Sequence, residues 1–408
     1  MMKTLSPVLS TIIFILALAL SACDGGGSSD GVRTAPSAPV VTAASGQITI
    51  TWSAVAGADS YQVWYGTTDD SSLAGQYGGD FSGTACLLTY LTNNTVYYVW
   101  IKARYGTELS GFSPSGSATP TSSSLAKSDV VFVYYTSSSD SAIQRMQDSG
   151  SPVNIVSSTI GIELVLPSAS TNRDKAAYLY FETSDPFNTF IMYKDSGGTL
   201  DITPSNFNYW GDFSMALSPD GSKLVYSVYG SPYLYIIPTD STNPSSVQLT
   251  NCTGGKDNYP TWSPDGTQIA FVHIDDDYNA KIYRINADGS STDPYADELF
   301  SFDTIVPGNE SLIQITWSPV NPYQMACSSR LDGSNPKFFI YTLNLTTKER
   351  MKVTNTTGTS EFNPRWSKDG NFIFYEINKN IYYTPINDLE ASQITTDGKS
   401  SFRGWEPS

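Results

Sequence analysis

A short turn sequence recurs in the second half of the chain and constrains its fold more strongly than any other feature. An apolar strand follows each copy, a third strand comes next, and the unit often ends on a short fourth strand that closes in threonine, as at Thr250, Thr354 and Thr395. Two degenerate units, marked by Asp148-Ser-Gly150 and Asp195-Ser-Gly197, precede the clearer copies. The four turns are Leu217-Ser-Pro-Asp-Gly221, Trp262-Ser-Pro-Asp-Gly266, Trp317-Ser-Pro319 and Trp366-Ser-Lys-Asp-Gly370.

Units with four short antiparallel strands, repeating every roughly 40 to 55 residues, cannot bury a hydrophobic face alone. We therefore expect each unit to pack on the next, and a ring of units leaves no exposed end. Six units fit residues 129–408. Residues Phe402 to Pro407 copy only a first strand, whereas Val130 to Tyr135 look like a second strand without its first. The two segments are predicted to complete one blade of a six-bladed β-propeller.

The Ser-Pro-Asp-Gly turns resemble the WD40-like (PD40) repeats of the TolB propeller family, and two of the six copies are complete. The resemblance implies an all-β propeller whose ring face contacts protein partners, including other envelope proteins. We expect no counterpart of that family's N-terminal α/β module, which argues against a role in the Tol system itself.

Residues 35–119 show a different pattern, with apolar and polar residues alternating along successive strands, as half-buried strands do. The residues with recognisable positions are Pro36, Pro39, Trp52, Tyr61, Leu91 and Tyr97. They resemble a fibronectin type III domain, and Leu91 followed by Tyr97 matches the tyrosine corner of such sandwiches. The resemblance implies a β-sandwich over residues 35–119, followed by a linker over residues 120–128.

The first 22 residues are predicted to be a lipoprotein signal peptide. The apolar run Ile12 to Leu20 is about half the roughly 20 residues that a membrane-spanning helix needs. Leu20-Ser-Ala-Cys23 resembles the lipobox of bacterial lipoproteins, which implies that Cys23 becomes the first mature residue and carries acyl chains. An ordinary secretory signal is the alternative. Residues 23–34 are predicted to be a flexible tether, so we expect a lipid-anchored envelope protein facing the periplasm or the exterior, at the inner or the outer membrane.

Charge and residue usage argue against several kinds of site. The net charge of −16 should repel nucleic acid and anionic lipid. Beyond Cys23, the widely spaced Cys86, Cys252 and Cys327 form neither a disulfide framework nor a paired metal motif. His273 is the only histidine, which excludes histidine-rich zinc sites and leaves one candidate base for a catalytic triad. We expect His273 to be a buried structural residue, and we predict no catalytic residue, metal or cofactor.

Three groups of residues are candidates for binding. Asp275, Asp276 and Asp277 form an acidic loop that suits a cation or a basic partner, or is simply a solvated loop. Trp210 lies in a long loop and is a binding anchor, a plug for the ring or a cover over a neighbouring blade. The third group is Trp64, Tyr98 and Trp100. These residues are predicted to share one exposed sheet face that contacts a protein, a glycan or the chain's own propeller.

Two functions remain open at this point. The first is a non-catalytic binding or scaffolding protein of the cell envelope, anchored to the membrane through its lipidated N-terminus and contacting a protein or glycan partner. The second is a carbohydrate-active or peptidase-related propeller enzyme, which would need paired carboxylates facing the channel. The sequence does not show whether the candidate acids Glu163, Asp212 and Asp257 converge there.

Overall fold

The described part of the chain is built from β-strands, apart from one turn of 3-10 helix at Ser71–Leu73. The predicted all-β class is therefore confirmed. No helix within these residues is long and apolar enough to cross a membrane. The computed structural model describes residues 33–89, 91–121, 131–135, 141–146, 151–157, 162–172, 174–182, 185–205, 207, 213–228, 230–302, 312–330, 337–354, 356, 358–386 and 391–402.

Two antiparallel sheets face each other across one core and form what we call the N-terminal unit. Their strands are β1 (Val40–Ala44), β2 (Gln47–Thr51), β3 (Ser60–Gly66), β4 (Gly75–Phe81), β5 (Ala85–Leu88), β6 (Tyr97–Tyr105), β7 (Glu108–Leu109) and β8 (Gly116–Ala118). One sheet has the order β1-β2-β5, and the other has the order β4-β3-β6-β7 with β8 also paired to β6.

The alternating residues of these strands fill the core between the two sheets. Ile48 and Ile50 of β2 meet Val63 of β3 and Val99 of β6, and all four are fully buried. Because alternate side chains of a strand point to opposite faces, the intervening residues are left for the outer faces.

Tyr97 begins β6 and ties the preceding loop to it. The backbone N–H of Thr92 donates to the Tyr97 phenol oxygen at 3.1 Å, and Leu91 is buried beside the same core. The bond from a tyrosine to the backbone a few residues upstream is the geometry of a tyrosine corner.

Six four-stranded antiparallel sheets follow, which we call sheets 1 to 6. Sheet 1 consists of β9 (Val131–Tyr135), β10 (Ser141–Met146), β11 (Pro152–Ser157) and β32 (Ser400–Ser401). Sheet 2 has β12 (Ile162–Ala169), β13 (Ala176–Glu182), β14 (Asp185–Asp195) and β15 (Gly198–Asp201), and sheet 3 has β16 (Ser214–Leu217), β17 (Lys223–Ser227), β18 (Leu234–Pro238) and β19 (Val247–Gln248). Sheet 4 has β20 (Lys256–Trp262), β21 (Gln268–Ile274), β22 (Ala280–Asn286) and β23 (Glu298–Phe302). Sheet 5 has β24 (Leu312–Trp317), β25 (Gln324–Ser329), β26 (Phe339–Asn344) and β27 (Arg350–Lys352), and sheet 6 has β28 (Phe362–Trp366), β29 (Phe372–Ile377), β30 (Asn380–Pro385) and β31 (Ser392–Gln393).

The recurring turn joins the first and second strands of a sheet and holds itself closed. In sheet 4 the Asp265 carboxylate accepts from the Ser263 hydroxyl at 2.6 Å and from the Thr267 N–H at 3.0 Å. Gly266 has φ +71°, a conformation that costs glycine little. The Gln268 N–H then donates to the Ser263 hydroxyl at 2.9 Å. The same bonds form in the turns centred on Asp220 and Asp369.

In four of the sheets, a threonine at the end of the fourth strand holds the outer hairpin together. The Thr250 hydroxyl accepts from the backbone N–H of Leu234, at the start of the third strand, at 2.9 Å. The equivalent pairs, from the threonine to the backbone N–H, are Thr203 with Ile191, Thr354 with Ile340, and Thr395 with Ile381. Since an unpaired buried N–H is costly, this role explains why the threonine recurs.

Neighbouring sheets are joined through their first strands. The Trp262 indole N–H donates to the carbonyl oxygen of Ala216 in sheet 3 at 2.9 Å, and the Trp366 indole N–H donates to Thr316 in sheet 5 at 3.1 Å. Buried clusters lie between successive sheets, and the last cluster joins sheet 6 to sheet 1 through Phe374 and Phe132.

Sheet 1 combines strands from the two ends of this region. Ser400 and Ser401 pair antiparallel with Tyr134 and Val133 of β9. The pairing begins just before the predicted segment at Phe402, which is itself buried against sheet 6. Trp405 and the predicted linker residues 122–128 lie outside the described residues.

The N-terminal unit contacts sheets 5 and 6 through buried polar groups. The Asn344 side-chain amide donates to the Tyr77 phenol oxygen at 3.0 Å and to the Leu87 carbonyl at 3.3 Å. The Ser45 N–H donates to the Asn371 side-chain oxygen at 3.1 Å. These bonds fix the unit against the turns of the two sheets.

Candidate functional site

A cavity of about 150 Å³ lies where the first strands of the sheets converge. Its wall consists of hydroxyl, proline and indole groups, among them Ser168, Thr261, Trp262 and Trp317. Arg365 is the charged side chain of the described lining, which contains no carboxylate. The wall therefore mixes hydrogen-bonding groups with apolar ones, and a concave site of this kind can hold a ligand.

A smaller depression of about 40 Å³ shares Met215 and Arg365 with this cavity. It lies at the beginning of the first strands; we call the larger cavity the channel and this depression the channel mouth. The residues of its described lining are Phe213, Ser214, Met215, Tyr259, Pro260, Gln314, Ile315, Asn363 and Arg365.

Backbone irregularities shape the channel mouth. Tyr259 and Asn363 occupy equivalent bulges in the first strands of sheets 4 and 6, with φ +54° and +56°. The Tyr259 N–H donates to the Ser214 hydroxyl of sheet 3 at 2.9 Å, and the Asn363 N–H donates to the Gln314 side chain of sheet 5 at 2.7 Å. Bulges and left-handed non-glycine residues concentrate at functional sites, so this mouth is the leading candidate for ligand contact.

Arg365 follows one of these bulges and is half-buried. A guanidinium offers five N–H donors in a planar fork that matches a carboxylate. In a wall without acidic groups, such a side chain favours an anionic ligand. The sequence did not indicate Arg365, because its place in the channel depends on a bulge that has no local sequence signature.

Two of the acids considered for catalysis can be located. Asp257 is fully buried at the start of β20, and Glu163 of β12 is 8% exposed. Neither lines the two cavities. Burial raises the pKa of Glu163, and the positive charge of Lys379 offsets this effect only in part. Asp212 lies outside the described residues.

Asp257 belongs to a group of four side chains whose proximity the sequence did not indicate. Its two carboxylate oxygens lie 2.8 Å from His273 Nδ1 and 2.7 Å from the Tyr295 phenol oxygen, and the phenol is the donor in the second contact. One potential ligand atom each from Cys252, Asp257 and His273 lies within 4.8 Å of the others. His273 is half-buried, with a side chain 17% exposed. The register of β20 on β21, which pairs Asp257 with His273, is the signal that would have revealed the contact.

The thiol and the phenol of this group lie in a poorly solvated environment. Burial raises the pKa of the Cys252 thiol to about 11, and the negative charge of Asp257 acts in the same direction. Burial and the same carboxylate also raise the pKa of Tyr295. These groups are therefore protonated at neutral pH.

The acidic loop uses two of its three carboxylates internally. Asp275 accepts from the backbone N–H groups of Asp277 and Asn279 at 3.0 and 2.8 Å, and Asp276 accepts from the Gly255 N–H at 2.9 Å. Burial opposes the charged form of Asp275, but the hydrogen bond from the Asn279 side-chain amide, together with these backbone bonds, outweighs it and lowers its pKa. Asp277 is exposed. The loop is thus a hydrogen-bonded turn, and its predicted binding role stays a prediction.

The aromatic residues of the N-terminal unit share one sheet face, as expected. Trp64 pairs directly with Trp100, and the Tyr98 and Trp100 rings stack at 6.3 Å. Trp64 and Tyr98 are half-buried. Trp100 is only 4% exposed, so the expectation of an exposed ring is wrong for this residue, which packs beneath the stacked Tyr98 ring. Trp210 and Cys23 lie outside the described residues.

Comparison with known proteins relates the chain to propellers. Residues 333–405 match the family described as the dipeptidyl peptidase IV (DPP IV) N-terminal region. The structure is similar to that of TolB from Acinetobacter baumannii, with 17% sequence identity, a TM-score of 0.51, and coverage of 77% of this chain and 78% of that chain.

Two further solved structures resemble the chain at lower TM-scores. A putative TolB from Agrobacterium tumefaciens has 13% identity and a TM-score of 0.47, covering 63% of this chain and 87% of that chain. An oligogalacturonate lyase from Vibrio parahaemolyticus has 11% identity and a TM-score of 0.45, covering 71% and 86%. Identities this low concern the fold alone. The match to the Acinetobacter protein gives the chain a TolB-like propeller fold.

Proposed function

We propose that this chain is a lipid-anchored, non-catalytic binding protein of the bacterial cell envelope. In this proposal a fibronectin type III-like sandwich accompanies a six-bladed TolB-like propeller, and the channel mouth binds a carboxylate-bearing segment of a protein partner. The observation that carries the proposal is the guanidinium of Arg365 in a channel wall of hydroxyl and indole groups.

Six blades are supported by the six four-stranded sheets and by the packing between them. Each sheet shares a buried cluster with the next, and Phe132 of sheet 1 packs with Phe374 of sheet 6. A ring arrangement gives every sheet two neighbours and so buries both faces of each sheet.

A fibronectin type III-like sandwich is supported by the two facing sheets and by the bond between Thr92 and Tyr97. The lipid anchor is supported by the lipobox-like sequence ending at Cys23. Together they would hold the propeller near a membrane surface, on the periplasmic or exterior side.

Binding is favoured over hydrolysis by the chemistry of the channel. Glycoside hydrolysis needs two carboxyl groups roughly 5 to 10 Å apart across the scissile bond. The described lining offers a guanidinium and several hydroxyls. These groups donate hydrogen bonds to an anion and do not supply an acid–base pair.

Site-specific photocrosslinking in intact cells would test the proposal. A photoreactive amino acid is placed at Met215 in the channel mouth, and the matched control is placed at Val247, which is 55% exposed on the outer strand of the same sheet. We expect a discrete protein adduct at position 215 that disappears when Arg365→Ala is added. Adducts at position 247 alone would contradict the proposal, and so would adducts at position 215 that persist in the Arg365→Ala variant.

Glu163 gives the enzymatic alternative its one specific support. It is buried, its pKa is raised, and within the described structure its Oε1 has no hydrogen-bond partner. These are properties of a general acid. Turnover of an oligosaccharide or peptide by the purified chain, abolished by Glu163→Gln, would replace the binding proposal with this one.

A further inference from the structure

The geometry points to a zinc-binding site formed by the Cys252 thiolate, the Asp257 carboxylate and the His273 imidazole. The site lies where sheets 3 and 4 meet, away from the residues that line the channel. It is independent of the proposed function.

The three ligands come from three different segments of the fold. Cys252 follows the fourth strand of sheet 3, Asp257 is the second residue of β20, and His273 is the sixth residue of β21. The strand register places Asp257 directly opposite His273, and the Asp257 N–H donates to the Pro232 carbonyl at 2.9 Å. The Cys252 thiol donates to that same carbonyl at 3.3 Å. The backbone therefore fixes all three positions.

The donor atoms of the three side chains lie close enough together to share one metal ion. One potential ligand atom from each residue lies within 4.8 Å of the other two. Zinc ligands lie about 2.0 to 2.3 Å from the ion, so donor atoms a few ångströms apart need only small side-chain rotations to share one ion. The site is also accessible, because the His273 side chain is 17% exposed while Asp257 is fully buried.

The chemical types of the three ligand groups indicate which metal ion the site would bind. A thiolate, an imidazole and a carboxylate are the three ligand types that zinc takes in proteins. Magnesium and calcium take oxygen ligands and would not use the sulfur atom. Three protein ligands leave a fourth position for solvent or for the neighbouring Tyr295 phenol.

The surroundings of the three ligands resemble those of known metal sites in one respect. The Tyr295 phenol donates to Asp257 Oδ2 at 2.7 Å, which leaves Oδ1 directed at His273. An outer hydrogen bond of this kind orients a ligating carboxylate. On binding, the Cys252 thiol would release its proton to solvent, and the imidazole would carry its remaining proton on Nε2 while Nδ1 faces the ion.

Cobalt titration of the full-length chain, purified in detergent and stripped of metal, tests the inference. We expect a thiolate-to-cobalt charge-transfer band that saturates at one Co²⁺ per chain and is abolished by adding Zn²⁺. Cys252→Ser should remove the band, and His273→Gln should weaken Co²⁺ binding by at least about 100-fold, the upper range for losing even an outer-shell partner.

The matched control is Cys327→Ser, which removes a fully buried thiol from sheet 5. It should leave the band unchanged, as should Arg365→Ala in the channel. Near-ultraviolet circular dichroism of each metal-free variant shows whether it has folded. Failure of the folded wild-type chain to produce the band overturns the inference, and so does a band that persists in folded Cys252→Ser.

Discussion

The side-chain amide of Asn344, at the end of β26, donates a 3.0 Å hydrogen bond to the phenol oxygen of Tyr77 in β4 of the N-terminal unit. Asn344 is 2% exposed, and the same amide donates to the Leu87 carbonyl. The Asn344 oxygen meanwhile accepts from the N–H groups of Thr346 and Thr347 in its own turn. One side chain therefore stabilises a turn of sheet 5 and joins it to the N-terminal unit.

Tyr77→Phe should weaken this junction without disturbing the ring packing. The variant removes the phenol oxygen and leaves the aromatic contact with Tyr65 at 5.9 Å. We expect a loss of about 1 kcal/mol in the free energy of unfolding, measured by denaturant titration. The control Tyr278→Phe alters an exposed phenol and should stay within about 0.5 kcal/mol of the wild type. Equal effects of the two changes would show that the junction contributes nothing.

Thr250→Val should destabilise sheet 3 more than its small change in shape suggests. The hydroxyl accepts from the Leu234 N–H, and Thr250 is 1% exposed, so the variant leaves a buried donor unpaired. The expected cost is about 1 to 3 kcal/mol. Thermal unfolding measures it, with Thr267→Val in an exposed turn as the comparison. A melting temperature equal to that of the wild type would remove the explanation for the recurring threonine.

The turn aspartates should make the fold sensitive to acid. Hydrogen bonds from Ser218 and from the Ser222 backbone lower the pKa of Asp220 to about 2, below its ordinary value of 3.8. A group whose pKa is depressed in the folded state stabilises the fold above its unfolded pKa and loses that contribution as the pH falls through the folded value. Stability should therefore decline between about pH 4 and about pH 2.

Asp220→Asn isolates this contribution. Because Asp220 is exposed, solvent screening keeps the effect small, below about 1 kcal/mol at neutral pH. The melting temperature of the variant should be lower near neutrality and should fall less steeply between about pH 4 and about pH 2. A variant with the same acid profile as the wild type would assign the decline to other carboxylates.

The aromatic face of the N-terminal unit divides into a structural and a surface part. Trp100→Ala removes a side chain that is 4% exposed and should cost about 3 to 5 kcal/mol, as for other buried aromatic residues. Trp64→Ala alters a half-buried ring that lies against Phe112 at 5.5 Å and should cost less. Denaturant titration of the two variants shows which loss of stability is larger.

If the face binds a partner, the double variant Trp64→Ala with Tyr98→Ala should lose that partner in crosslinked envelope extracts while the chain stays folded.

Features that depend on neighbouring residues could be predicted from the sequence. The Ser263 to Gln268 turn closes through bonds between residues at most five positions apart, so its sequence specifies its shape. The alternation in β2 and β6 likewise predicted which side chains enter the core. The all-β class followed from these patterns, and the TolB-like fold followed from the family resemblance of the Ser-Pro-Asp-Gly turns.

Features that depend on register or on irregular backbone could not be predicted in the same way. Asp257 meets His273 because β20 lies in one particular register on β21, and Cys252 joins them from the preceding sheet. Arg365 enters the channel through a bulge at Asn363. Trp100 is buried by rings on its own face, whereas the alternation rule assigns that face to solvent.

The pairing of Ser400 and Ser401 with β9 has a consequence for biogenesis. Sheet 1 lacks the strand beside β9 until those serines are synthesised, so β9 stays an open edge throughout translation. Until then the backbone N–H and C=O groups along this edge of β9 are free to pair with another polypeptide. A ribosome that stalls before Ser400 would release a chain with an unpaired β9 edge, and such an edge promotes aggregation.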